Sequence, residues 1–162
     1  MIKVHFIHGL ESSAHGNKAR LFAEHFDALT PAMDTADFEG CVSLHAKGLV
    51  EWRPDVVVGS SFGGAVLCAL IQRGLWDGRS LLLAQAGVRH GLGLALPSVA
   101  PIWIVHGSAD DVVAPSDSAR LAASNARPNV RLIEVDDDHA LHRCTQDGTL
   151  LGWVKDLAAL DG

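Results

Sequence analysis

The chain of 162 residues has no tyrosine and only three cysteines. The first absence removes phenolic hydroxyls from any chemistry the protein performs. The second excludes a disulfide-stapled scaffold: Cys41, Cys68 and Cys144 are odd in number and share no metal-ligand spacing, so they read as reduced, cytoplasmic thiols. Positive charge is scarce too. Lys and Arg total 13 against 19 Asp and Glu, a net −6, and the basic residues are scattered rather than clustered. That excludes a nucleic-acid backbone or an anionic membrane as partner and leaves a protein partner open. No apolar run reaches the roughly 18 residues of a membrane span. The opening "MIKVHFIHG" is too short and too polar for the core of a signal peptide. Repeats, low-complexity tracts and long linkers are also missing, so residues 1–162 read as one domain, long enough to bury a core without staples.

What the chain does have is alternation. "IKVHFI" (2–7), "DVVVGS" (55–60), "SLLLAQA" (80–86), "PIWIVHG" (101–107) and "VRLIEV" (130–135) are short apolar runs of the kind that form buried strands, and a weaker strand is expected near 29–33. Between them, helical spacing of apolar residues predicts helices over 17–29, roughly 38–51, 63–73, 114–126 and 148–160. Six strands alternating with helices imply a three-layer α/β/α sandwich around a mostly parallel sheet. The segment 87–100, "GVRHGLGLALPSVA", is the least regular, an entrance loop or a short helix, and too small for a lid domain.

Chemistry enters at "GSSFGG" (59–64), where two serines sit among three glycines between a strand and a helix. Three readings compete. A phosphate-binding loop fails, because there is no lysine at its end and no G-x-G-x-x-G. A plain turn remains. So does G-x-S-x-G with Ser61 at its centre, in which small neighbours let a cramped turn push a hydroxyl outward toward unsatisfied helix N–H groups.

A serine hydroxyl needs a base, usually a histidine held by a carboxylate, and ligand crevices open beyond the C-terminal ends of parallel strands. After "PIWIVHG" comes "SADD", bringing Asp110 and Asp111. After "VRLIEV" comes "DDDHALH", bringing His139 and His142. The order Ser…Asp…His is that of the α/β-hydrolases. Asp136, Asp137 and Asp138 with the two histidines also suggest a metal cluster, but their loose spacing fits a solvated bend better. His5 and His8, three apart on a strand, face opposite sides and cannot share a metal.

On four ordered blocks, "HGLESS", "GSSFGG", "HGSADDVV" and "DDDHALH", the sequence resembles the small lid-less bacterial serine esterases of the α/β-hydrolase family, over nearly its whole length. The resemblance implies a minimal α/β-hydrolase fold and a carboxylesterase acting on short-chain acyl esters or thioesters, without cofactor or metal. Carried over residue by residue, it makes Ser61 the nucleophile, His139 the general base and Asp110 its acid, with Asp111 and His142 as competitors by adjacency. The backbone N–H groups of Leu10 and Phe62 become the oxyanion donors. His8 and His106 take structural roles, orienting their loops. Ser12 or Ser13 caps the first helix or holds the oxyanion loop, Glu11 points outward, Ser60 serves the turn, and Gln85, Val88, Leu94 and Trp103 line the pocket or core. Cys68 is expected to pack in the core. Thioesterases, amidases and cofactor-free haloperoxidase-like activities share the scaffold, as do protein-binding modules of the retinoblastoma-binding type; an intact triad favours the enzyme.

Overall fold

A computed structural model describes residues 1–10 and 12–161. Six strands form one sheet: β1 (Lys3–Ile7), β2 (Asp27–Leu29), β3 (Val56–Ser60), β4 (Arg79–Leu83), β5 (Ile102–Gly107) and β6 (Val130–Val135). Their order across the sheet is β2-β1-β3-β4-β5-β6, and every pairing is parallel rather than mostly so. All C-terminal ends therefore share one edge.

The four inner strands β1, β3, β4 and β5 are buried on both faces because helices cover both. Alternate residues divide between two cores. Val4, Phe6, Val56, Val58, Leu81, Leu83, Trp103 and Val105 pack with Phe22 of α1 (Asn17–His25) and with Leu150, Trp153, Val154 and Leu157 of α6 (Thr149–Ala159). On the other face Ile7, Val57, Leu82, Ile102 and Ile104 meet α2 (Phe38–Trp52), α3 (Phe62–Gln72) and α4 (Pro115–Ala123). The central helix α3 is buried from Phe62 to Ile71, as its unbroken apolar sequence requires. No helix among the described residues is long and apolar enough to cross a membrane.

Three expectations need correction. The first helix ends at His25, not 29, and the second strand lies at 27–29 rather than 29–33. Phe26 is buried on either reading, packing on Phe22 at 6.2 Å, so its apolar character could not mark the break. A short helix α5 (His142–Gln146) was also missed; five residues are too few to display a period. The segment 87–100 holds a single 3₁₀ turn at Val88–His90 and is otherwise irregular. It is nevertheless laced down by side chains that satisfy its backbone: Gln72 donates to Gly93 O (2.8 Å), Asn125 receives Leu96 N–H (2.9 Å) and donates to Leu94 O (2.6 Å), and Asn129 donates to Ser98 O and Ala100 O (2.8 and 2.9 Å).

Candidate active site

Ser61 ends the sharp turn from β3 into α3 with φ 56° and ψ −112°, a conformation that strains any residue with a Cβ. The surroundings hold it there. Ser61 N–H donates to Leu83 O (2.9 Å), and Ser61 O accepts from Ala65 and Ala86 N–H (3.1 Å each). Gly63 is the residue that permits the turn: a Cβ there would stand 1.9 Å from Ile7 O and 2.7 Å from His8 O. The end of β1 thus crosses directly over the first turn of α3.

Two other strand ends supply partners. Asp110 follows β5 and His139 follows β6. His139 Nε2 lies 3.1 Å from Ser61 Oγ, and its Nδ1 lies 2.7 Å from Asp110 Oδ2. The Asp110 side chain is wholly buried, whereas that of His139 keeps 23% of its surface exposed, open to an incoming molecule. Asp110 Oδ1 accepts from both Val112 and Val113 N–H at 2.8 Å. Burial pushes this carboxyl upward, but the hydrogen bond to His139, the two amides and the His139 charge outweigh it and hold it below the usual carboxylate range. With Nδ1–H committed to the carboxylate, Nε2 of His139 carries the lone pair that faces the serine.

The loops that hold these residues are stitched together. Ser108 N–H donates to Val135 O (2.8 Å) and Ala109 N–H to Asp137 O (3.0 Å), joining the β5 and β6 loops. Asp137 accepts from Asp138, Arg143 and Cys144 N–H, pinning the bend to α5, and Lys18 of α1 donates to Ala140 O at 2.6 Å. An open cavity of about 380 Å³ flanks this bend, bordered by Lys18, Arg20, Glu24, Ala140, His142 and Gln146.

The competitors fall elsewhere. Asp111 is exposed while Asp110 contacts His139. His142 pairs with Asp138 (2.6 Å) at the surface. No group of three or more His, Cys, Asp or Glu side chains gathers as for a metal among the described residues. Phe62 is the first residue of α3, and Leu10 follows Gly9, where an added Cβ would stand 3.4 Å from Ser61 Cβ. Neither their N–H groups nor those of Gly63 and Gly64 donate to a described residue. His8 Nδ1 donates to Gly9 O (2.8 Å), shaping that loop. Glu11 lies outside the described residues. Neither Ser12 nor Ser13 caps α1, whose N-cap is Gly16; Ser12 N–H instead closes a turn onto Gly9 O (3.3 Å).

Gln85, Ser118 and His106 carry more than the sequence suggested. Gln85, read as pocket or core, is buried and bonded to Ser118, and Ser118 to His106. No motif marks Gln85 and Ser118, because strand β4 and helix α4 bring them together only in the folded chain. Cys68 is buried, with Sγ 3.9 Å from Gln85 Oε1, and burial pushes its thiol up to about 12.

No protein-family model matches the sequence, and no curated protein does. Among solved structures, a presumed hydrolase of the alpha/beta superfamily from Xanthomonas campestris pv. campestris is 24% identical with a TM-score of 0.72, covering 99% of this chain and 100% of that one. Alpha/beta hydrolase domain-containing protein 10 from mouse is 17% identical, TM-score 0.76, covering 96% and 87%. The esterase domain of a Rhodothermus marinus protein is 18% identical, TM-score 0.66, covering 95% and 84%. At these identities the likeness is one of fold.

Proposed function

From a chain with the α/β-hydrolase fold, we propose a serine hydrolase, a carboxylesterase acting on short-chain acyl esters. The observation that carries this reading is the continuous path Ser61 Oγ–His139 Nε2, His139 Nδ1–Asp110 Oδ2, at 3.1 and 2.7 Å. His139 takes the proton of Ser61 as Oγ attacks the acyl carbonyl. The imidazolium so formed is stabilised by Asp110, which keeps its charge throughout. The oxyanion is held by the amides of Phe62 and Leu10, with the N-terminal end of α3 aimed at it. His139 then protonates the departing alcohol, and water, activated by the same imidazole, releases the acid from the acyl-enzyme. These residues need no cofactor for that sequence. The exposed Leu10 and Val112 belong to loops at the same sheet edge as Ser61, an apolar rim suited to a short acyl chain.

The test is covalent labelling by a fluorophosphonate probe. Wild type is expected to label and Ser61→Ala not to; an unlabelled but folded wild type overturns the reading. A nitrophenyl ester series from acetyl to palmitoyl is expected to peak at short chains, and a steady rise into long chains would exclude the short-chain assignment. A thioester series on the same preparation separates ester from thioester preference.

A further inference from the structure

A second histidine reaches the buried carboxylate. His106, at the end of β5, places Nε2 3.0 Å from Asp110 Oδ2 and 3.0 Å from Val113 O. Its Nδ1 lies 2.6 Å from Ser118 Oγ on α4, and Ser118 Oγ lies 3.2 Å from Gln85 Nε2. The chain ends where Gly87 N–H meets Gln85 Oε1 at 2.8 Å. All four side chains are buried.

Donor and acceptor rules give this chain one direction. Gly87 N–H can only donate, so the amide atom facing it is oxygen and the NH₂ of Gln85 faces Ser118. Ser118 accepts that bond and passes its single hydrogen to His106 Nδ1. At the far end Val113 O can only accept, so His106 carries its proton on Nε2. Both ends demand the same tautomer. The His106 N–H is thereby donated to Val113 O while Nε2 stands 3.0 Å from Asp110 Oδ2, and the carboxylate accepts from Val112 and Val113 N–H at Oδ1 and from His139 at Oδ2.

Resting on the serine-hydrolase reading, we infer that Gln85, Ser118 and His106 form a positioning relay that fixes the plane and charge of Asp110 and so aims His139 at Ser61. None of the three touches the reacting atoms. A relay of fixed polarity matters because the opposite tautomer would turn the His106 lone pair onto a buried anion and a carbonyl oxygen together. Asp110 would then swing or take up a proton, and His139 would lose its orienting partner.

The experiment measures the fluorophosphonate labelling rate of Ser61, together with kcat and KM for a nitrophenyl acetate, in wild type, His106→Leu, His106→Gln and Ser118→Ala. Circular dichroism and thermal melting establish folding. His106→Leu is expected to lower the labelling rate and kcat about ten- to a hundredfold with KM nearly unchanged, the reach of one buried polar contact beside a charged group. His106→Gln, which restores an N–H at the Nε2 position, is expected to recover most of that loss. Ser118→Ala, a small change that frees the tautomer, should cost about three- to tenfold. Wild-type labelling rates in folded His106→Leu overturn the relay, as does equal impairment of His106→Leu and His106→Gln. If His106→Leu does not fold, undiminished labelling of Ser118→Ala overturns it instead. An unlabelled wild type overturns the hydrolase reading itself, and the relay falls with it.

Discussion

At the scale of single residues, the chain stores strain at the serine proposed as nucleophile. Ser61 holds φ 56° under the pull of three backbone hydrogen bonds. Glycine adopts that conformation without a Cβ penalty, so Ser61→Gly is expected to be more stable than Ser61→Ala by about 1 kcal/mol, both being inactive. Denaturant midpoints of the two variants check this; equal midpoints would mean the turn is relaxed. Asp110→Asn should fold yet lose labelling by several orders of magnitude, because an amide NH₂ facing His139 reverses the tautomer that the serine requires. A variant that labels within tenfold of wild type would show that the carboxylate orients nothing. The three residues of this path were legible in the sequence because each sits in a short block at a strand end. The relay behind them was not, since a glutamine after one strand and a serine in a helix carry no signal until tertiary packing joins them.

At the scale of elements, glycine separates into positions the fold needs and positions it merely tolerates. Gly63 has no room for a methyl group against the backbone of β1, so Gly63→Ala is expected to unfold the protein or displace the serine turn. Gly152 is the opposite. It sits inside α6 with nothing within 4 Å of the point a methyl group would occupy, so Gly152→Ala should stabilise by about 0.5–1 kcal/mol, visible as a raised Tm. A lowered Tm would mean that α6 packs more tightly along that face in solution. The inner strands β1, β3, β4 and β5 were the easiest elements to read because burial on both faces writes them as largely apolar runs. Boundaries were hardest where a buried aromatic, Phe26, serves the core equally well from a helix or from the approach to a strand.

At the scale of the whole molecule, a histidine pair makes stability depend on acid. His5 of β1 and His45 of α2 meet at 2.8 Å in the buried layer between sheet and helix, and His5 Nδ1 has no partner among the described residues. Burial lowers His5 from 6.5 to about 4, and burial with the neighbouring His5 and His8 charges lowers His45 to about 3. Both groups bind protons in the unfolded chain at a pH where the native protein refuses them. Stability is therefore expected to be full above about pH 6.5 and to fall as the pH drops toward 4, by at most about 1.4 kcal/mol per pH unit for each group. Urea midpoints between pH 7.5 and 4.5 measure the slope. His45→Gln should flatten it, and an unchanged slope would assign the acid sensitivity to other groups.

The order of strands across the sheet also sets an order in time. From β3 onward the sheet grows by adding each new strand beside the last, β4, β5, then β6. During synthesis the serine turn emerges 78 residues before the histidine that faces it, roughly 4 to 16 s earlier at ordinary translation rates. Its strained geometry must also wait for β4, whose Leu83 carbonyl holds it in place. A nascent chain thus carries the serine before the imidazole that is to face it. On the proposed mechanism, Ser61 gains its base only once β6 brings His139 to within 3.1 Å.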